Sequence, residues 1–290
     1  MRIRRISSLT FTLTVLVSSA GAQTDPPDWH RYTVKGEQFS FVLPAQPSLD
    51  YRRVRADSRP ERLEITLGTF ADGVVYIIHI SENLTERRSL NSFIKERTSS
   101  GHQINRKTER EVTVDSIGGK NYSFEGIDGS VQFFSKNDRL YQFAAFGASQ
   151  DDVRVTRFLS SISLVNKKDA FELPDNLPPQ QLTADTTPSI KAPERIFTPQ
   201  EVDKNFQPVM NVQPQYTEDA RLNQIKGTVV LKCTLAANGQ VTSISVVSGL
   251  PQGLTEMAIA AARKLKFIPA MKDGKYVSVS TRLVYRFDLF

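Results

Sequence analysis

Three different residue periods follow one another in a fixed order over about the last eighty residues, and this constrains the chain more than any other feature. Before Ala237-Asn238-Gly239, the residues Val229, Leu231, Cys233 and Leu235 alternate and share one face of a strand. After it, Val241, Ile244 and Val246 lie in a second β-rich run. Asn-Gly between two such runs predicts a tight hairpin, because both residues accept positive φ. Beyond Gly249 and Pro251, Leu254, Met257, Ala258, Ala261 and Leu265 recur at spacings of three and four. That spacing predicts a helix with one apolar face, closed by Pro269. Lys272-Asp273-Gly274-Lys275 reads as a turn, and residues 277–290 as a last strand rich in Val, Tyr and Phe. The expected order is strand, strand, helix, strand.

These residues resemble the TonB C-terminal domain family over roughly residues 208–290. Gln213-Pro214-Gln215-Tyr216 is similar to its opening motif, Lys226-Gly227-Thr228-Val229-Val230 to its first strand, and Asn238-Gly239-Gln240-Val241 to its hairpin. Lys264-Leu265-Lys266-Phe267-Ile268-Pro269-Ala270 is similar to its helix exit, where Trp often replaces Leu265, and Lys272-Asp273-Gly274-Lys275 to the turn before its last strand. Thr217 departs from the pattern, since the family often has Pro there. The resemblance implies a small sheet with a helix on one face and no catalytic chemistry. It also implies a partner: an extended peptide at the periplasmic end of an outer-membrane transporter, captured by strand addition. Unpaired N–H and C=O groups on an edge strand would supply the contact. The expected edge is residues 277–288, with Val277, Val279, Thr281, Leu283 and Tyr285 along it and Gln213 and Tyr216 beside it. Two other readings stay open: that strand is only the last of its sheet, or it pairs with its twin in a homodimer.

The chain begins like a secretory signal peptide. Arg2, Arg4 and Arg5 precede an apolar core diluted by Ser and Thr, and Ala20-Gly21-Ala22 forms a small-residue cleavage site. Cleavage leaves a mature chain in the periplasm; an uncleaved anchor in the inner membrane is the competing reading. The stretch from Ile6 through Ala22 is only about seventeen residues, against about 20 for a spanning helix. Energy transduction needs a membrane helix that senses a motor, so a soluble adaptor is expected rather than a self-sufficient transducer. With 37 basic and 31 acidic residues the net charge is +6, and losing three Arg with the signal lowers it to +3. Lys and Arg are scattered rather than clustered with aromatics, so nucleic-acid binding is not expected. A single Cys, Cys233, excludes an internal disulfide and reads as a small buried hydrophobe.

Residues 28–165 are strand-rich. Runs at 29–34 and 39–43 form a first hairpin around Lys35-Gly36-Glu37. Leu63, Ile65 and Leu67 alternate, and Asp72-Gly73 turns the chain into 74–80. A helix is predicted over 84–98, with Leu90, Phe93, Ile94 and Arg97 on one face. Further strands follow at 112–114, 121–126, 131–135 and 140–146, with Gly118-Gly119, Asp128-Gly129 and Asn137-Asp138 as turns. A helix over 153–162 closes the run, with Val155, Phe158, Leu159 and Ile162 inward. The order fits an α+β fold, an antiparallel sheet with helices to one side. Phe39-Ser40-Phe41-Val42-Leu43-Pro44, Arg139-Leu140-Tyr141-Gln142-Phe143 and Arg157-Phe158-Leu159-Ser160-Ser161-Ile162 resemble the Mog1/PsbP-like fold group, which implies a fold and not an activity. Residues 167–208 carry Pro174, Pro178, Pro179, Pro188, Pro193 and Pro199 and read as a linker that tethers two domains without fixing their geometry, with Ile196-Phe197 as the pair expected to dock onto the second domain. The expected division is 1–22 signal peptide, 23–166 N-terminal domain, 167–208 linker and 209–290 C-terminal β-β-α-β domain.

His30, His79 and His102 lack the spacing of a metal site, and no HExxH, GxSxG, Walker loop, GxGxxG or CxxC is present. No metal, cofactor or enzymatic activity is expected. Glu61, Glu64, Glu109 and Glu111 read as solvated strand faces, and Asn83-Leu84-Thr85 as a chance glycosylation triplet. The competing functions are a structural adaptor of the cell envelope and an N-terminal domain that carries a small-molecule ligand of unknown class or an enzymatic activity without a recognisable motif.

Overall fold

The computed structural model describes residues 29–54, 62–83, 89–99, 102–165, 167, 169–173 and 195–288. The signal-peptide reading falls on residues outside this set, as does the middle of the Pro-rich stretch.

The chain starts with β1 (His30–Val34) and β2 (Phe41–Leu43), which pair antiparallel as the hairpin reading required. Then come β3 (Ser48–Val54), β4 (Arg62–Ala71), β5 (Val74–Glu82), α1 (Leu90–Ser99), β6 (Ile104–Val114), β7 (Ile117–Phe124), β8 (Gly129–Lys136), β9 (Arg139–Phe146), α2 (Val153–Ser160) and β10 (Phe171–Leu173). Seven strands form one antiparallel sheet in the order β3-β4-β5-β9-β8-β7-β6. In β5, Val74 through Ser81 are buried on both faces, so the sheet must be covered twice. On one face lie β1, β2, β10 and α2, with Phe39, Phe41, Tyr76, Phe143 and Phe158 at the centre. On the other lies α1, whose Phe93 and Ile94 meet Val75, Ile77, Phe133 and Ala144. The two helices therefore sit on opposite faces, not on one side. The unbroken apolar run from Val74 to Ile78 was the signal in the sequence for two-sided burial.

Two local expectations fail for identifiable reasons. β3 was not anticipated, because Arg52 and Arg53 obscure the alternation of Leu49 and Tyr51 on an edge strand. Gly118-Gly119 is not a turn: Asp115 (φ 47°) and Ser116 (φ 67°) make it, and both glycines lie within β7. Gly119 is required by packing, since a β-carbon there would lie 2.3 Å from Phe134 Cδ1 and 2.5 Å from the Phe133 carbonyl oxygen.

The remaining elements are β11 (Gln207–Met210), α3 (Glu218–Leu222), β12 (Gly227–Leu235), β13 (Val241–Ser248), α4 (Leu254–Arg263), β14 (Lys266–Ile268), β15 (Ala270–Lys272), β16 (Lys275–Val277) and β17 (Val279–Phe287). The sheet order β13-β12-β17 and α4 across one face realise the strand, strand, helix, strand pattern. Ala258, Ala261 and Ala262 let α4 lie close against Val229, Leu231 and Tyr285. The predicted last strand is two strands. Val277 ends the β15–β16 hairpin, paired with Ala270, and Ser278 breaks the run before β17. α3, capped by the Thr217 hydroxyl accepting from the Ala220 N–H, was also not anticipated.

The described ends of residues 167–208 are not a free tether. β10 pairs parallel with β1, Lys204 bridges to Met271, Phe206 packs edge-on against Phe267, and β11 pairs with β14. β11 and β14 also seat the C-terminal domain on the larger sheet. Val209, Met210 and Ile268 join the core around Val75 and Phe146. His102 Nε2 lies 3.0 Å from the Pro208 carbonyl oxygen, and Lys264 pairs with Asp50 at 2.5 Å. Proline content predicted the absence of a core of the segment's own, and Ile196-Phe197 was expected to dock on the second domain, as Phe197 does at Val279; the pairings of β10, Lys204 and β11 were not expected.

Candidate functional site

The three-stranded sheet has β12 at its centre and β17 along one edge. The β12–β17 register runs without interruption from Gly227↔Phe287 to Leu235↔Val279. Side chains alternate along β17, so Val279, Tyr285 and Phe287 are buried and Thr281 and Leu283 are part-buried, while Arg282, Val284 and Arg286 are exposed. Val284 is 63% exposed, a high value for an aliphatic side chain at mid-strand. Directly opposite on the outer face, Lys232 faces Arg282 and Val230 faces Val284. Like charges in that position repel, so the outer face is basic around an apolar centre.

The backbone register of the edge follows from one bridge. The Phe197 N–H donates to the Ser278 carbonyl at 2.9 Å, and the Ser280 N–H donates to the Phe197 carbonyl at 2.9 Å. Ser280 therefore points its N–H and C=O away from β12. By the two-residue period of a strand, so do Arg282, Val284 and Arg286, while Val279, Thr281, Leu283 and Tyr285 point theirs toward β12. Beyond Phe197, no described segment pairs with this edge.

The seven residues singled out in the sequence are not one surface. Thr281, Leu283 and Tyr285 sit on the edge strand, but their side chains face α4 and their backbone groups serve the β12 ladder. Val279 does the same and is the residue bridged by Phe197. Val277 belongs to the other hairpin. Tyr216 packs edge-on against Phe287, ring centroids 5.7 Å apart, and its hydroxyl donates to the Ile225 carbonyl, so it is held inside its own domain and away from the β17 edge row. Gln213 is exposed and lines a groove of about 180 Å³ with Pro214 and Gln215, Asp50 to Arg52 of β3, and Met257, Ala260 and Lys264 of α4. Arg282, Val284 and Arg286, whose backbone and side chains both face outward, are not among those seven. The period alone could not separate the two sets, because it does not say which set faces the neighbouring strand.

Other candidate chemistry stays quiet. Among the described residues no group of three or more His, Cys, Asp or Glu is placed to hold a metal. Cys233 is buried opposite Thr281, and desolvation pushes its thiol up to about 11, which keeps it protonated at neutral pH. A second cavity, about 50 Å³, lies beside Arg97, His102 and Gln142 under Val209 and Met210. It has room for a water or two at ~30 Å³ each rather than for a metabolite. No described helix is long and apolar enough to cross a membrane.

Comparison with known proteins agrees on the C-terminal segment. Residues 212–289 match the family model for the Gram-negative bacterial TonB protein C-terminal. The solution NMR structure of the Pseudomonas aeruginosa TonB CTD is similar at 22% identity, covering 30% of this chain and 92% of that one, with a TM-score of 0.26. The solution structure of cyanobacterial PsbP from Synechocystis is similar at 13% identity, covering 52% of this chain and 99% of that one, with a TM-score of 0.34. Comparison with curated proteins gives no match. The hairpin and the α4-backed sheet lie within residues 212–289, the part of this chain that is similar to the TonB C-terminal family.

Proposed function

We propose that this is a periplasmic TonB-family protein whose C-terminal domain binds an extended peptide of an outer-membrane TonB-dependent transporter by strand addition to β17. The observation that carries the reading is the outward backbone row at Arg282, Val284 and Arg286, regular, exposed and unpaired among the described residues. An added strand would satisfy those groups and place its own alternate side chains beside the basic and apolar outer face. The N-terminal domain then acts as a rigid platform, because β11 and β14 fix the edge relative to it. Chemical-shift mapping of the full chain against synthetic peptides copied from the periplasmic ends of outer-membrane transporters tests this. Shifts on Arg282–Arg286 amides are expected. Shifts confined to α4 would overturn strand addition, and concentration-dependent shifts on the edge without peptide would assign it to self-pairing.

A further inference from the structure

We infer that residues 195–198 are a built-in first occupant of the β17 edge, one that stops itself at Pro199 and that a partner strand must displace to use the whole edge. The inference rests on the strand-addition reading above. Phe197 is already an added strand in miniature: it runs parallel to β17 and exchanges two backbone hydrogen bonds of 2.9 Å with Ser278 and Ser280. Two cations lie over its ring, the Arg195 guanidinium at 4.7 Å and the Lys272 ammonium at 5.9 Å from its centroid.

The occupant then ends for a chemical reason. In a parallel ladder the next rung would be an N–H from residue 199 to the Ser280 carbonyl, and residue 199 is proline. The chain turns away instead. Glu201 Oε2 accepts from the Thr198 N–H at 2.7 Å and from its hydroxyl at 2.8 Å, and Lys272 Nζ donates to the Glu201 carbonyl at 2.8 Å. The edge is thus divided. Its first outward position, Ser280, is taken, and the positions from Arg282 onward are open. A strand that covers only Arg282–Arg286 docks without rearrangement, whereas one that reaches Ser280 competes with Phe197. Its apparent affinity is lowered by the fraction of molecules whose edge is closed.

Amide hydrogen exchange on the full chain reads this directly. Phe197 and Ser280 amides should be protected and Arg282, Val284 and Arg286 amides fast. Phe197→Pro, with Phe197→Ala as a milder companion and circular dichroism to confirm folding, should release Ser280. The probe for the vacated edge is a synthetic peptide of residues 194–200, expected to bind F197P at least about tenfold tighter than the wild type. Pro199→Val restores the missing donor and should slow exchange at Arg282. A Ser280 amide as fast as Arg282 in the wild type, or equal peptide binding to both chains, overturns the inference; an unchanged Arg282 in P199V removes the self-limiting step. Transporter-derived peptides that protect the Ser280 amide of F197P and yet bind wild type and F197P equally leave strand addition standing and overturn only the competition. Transporter-derived peptides that bind neither, with Ser280 protection still dependent on Phe197, sink strand addition and the displacement with it.

Discussion

Lys266 of β14 lies along Gly68 of β4, so close that a β-carbon on Gly68 would stand 3.0 Å from Lys266 Cε. This contact joins the two domains by laying an aliphatic stem over a residue without a side chain. Its cost is the amine, which has no acceptor among the described residues.

Desolvation depresses the Lys266 amine from 10.5 to about 8. Below pH 8 the folded and unfolded chains both hold the proton, and the folded chain carries the full penalty of a desolvated ammonium. Between 8 and 10.5 the folded chain releases its proton first, so stability rises with pH through that window. Lys266→Met should stabilise the chain at pH 7 and abolish that rise. The gain should stay below about 3 kcal/mol, because the residue keeps part of its surface exposed. Thermal melts of both chains from pH 7 to 10.5 check it; parallel curves would show that the amine is solvated.

The edge register separates two neighbouring prolines. Val284→Pro removes an outward N–H and should cost little stability while abolishing peptide binding. Leu283→Pro removes a donor to β12 and should lower stability by about 3 kcal/mol. Melts paired with peptide titrations distinguish them. Equal destabilisation by both would mean that the outward row is assigned to the wrong residues.

Ile268 is the apolar peg between domains, packed beside Phe70, Met210 and Gly147. Ile268→Asp puts a charge into that seam and should uncouple the domains. Calorimetry of the wild type should show one transition and of the variant two, with the C-terminal one lower by several degrees. A single unshifted transition in I268D would mean that the seam contributes nothing to cooperativity.

Gly119→Ala introduces a β-carbon against the Phe133 carbonyl, which cannot move without shifting β8. A loss of about 1–3 kcal/mol is expected, read as a fall in the denaturation midpoint. Gly118→Ala, where a β-carbon meets nothing within 4 Å, is the matched control and should change the midpoint far less.

Local periods determined much of this protein before any tertiary contact was known. The Asn238-Gly239 hairpin, the α4 face of Leu254, Ala258 and Ala261, and the alternation of Leu63, Ile65 and Leu67 are each written within a dozen residues, because hydrophobic period and turn chemistry are local quantities. Tertiary structure decided what depends on neighbours distant in sequence. The face to which Val279 and Leu283 turn their backbone groups is set by pairing with β12, over forty residues away, and no period along β17 carries that information. The break at Ser278 is likewise invisible in Val277-Ser278-Val279, since it arises where the chain leaves the β15–β16 hairpin for β12. The seating of β11 and β14 on the larger sheet is a third case. Only the assembled surface around Phe70 and Phe146 makes a place for Val209 and Ile268, and an apolar residue in a proline-rich stretch looks the same whether or not such a place exists.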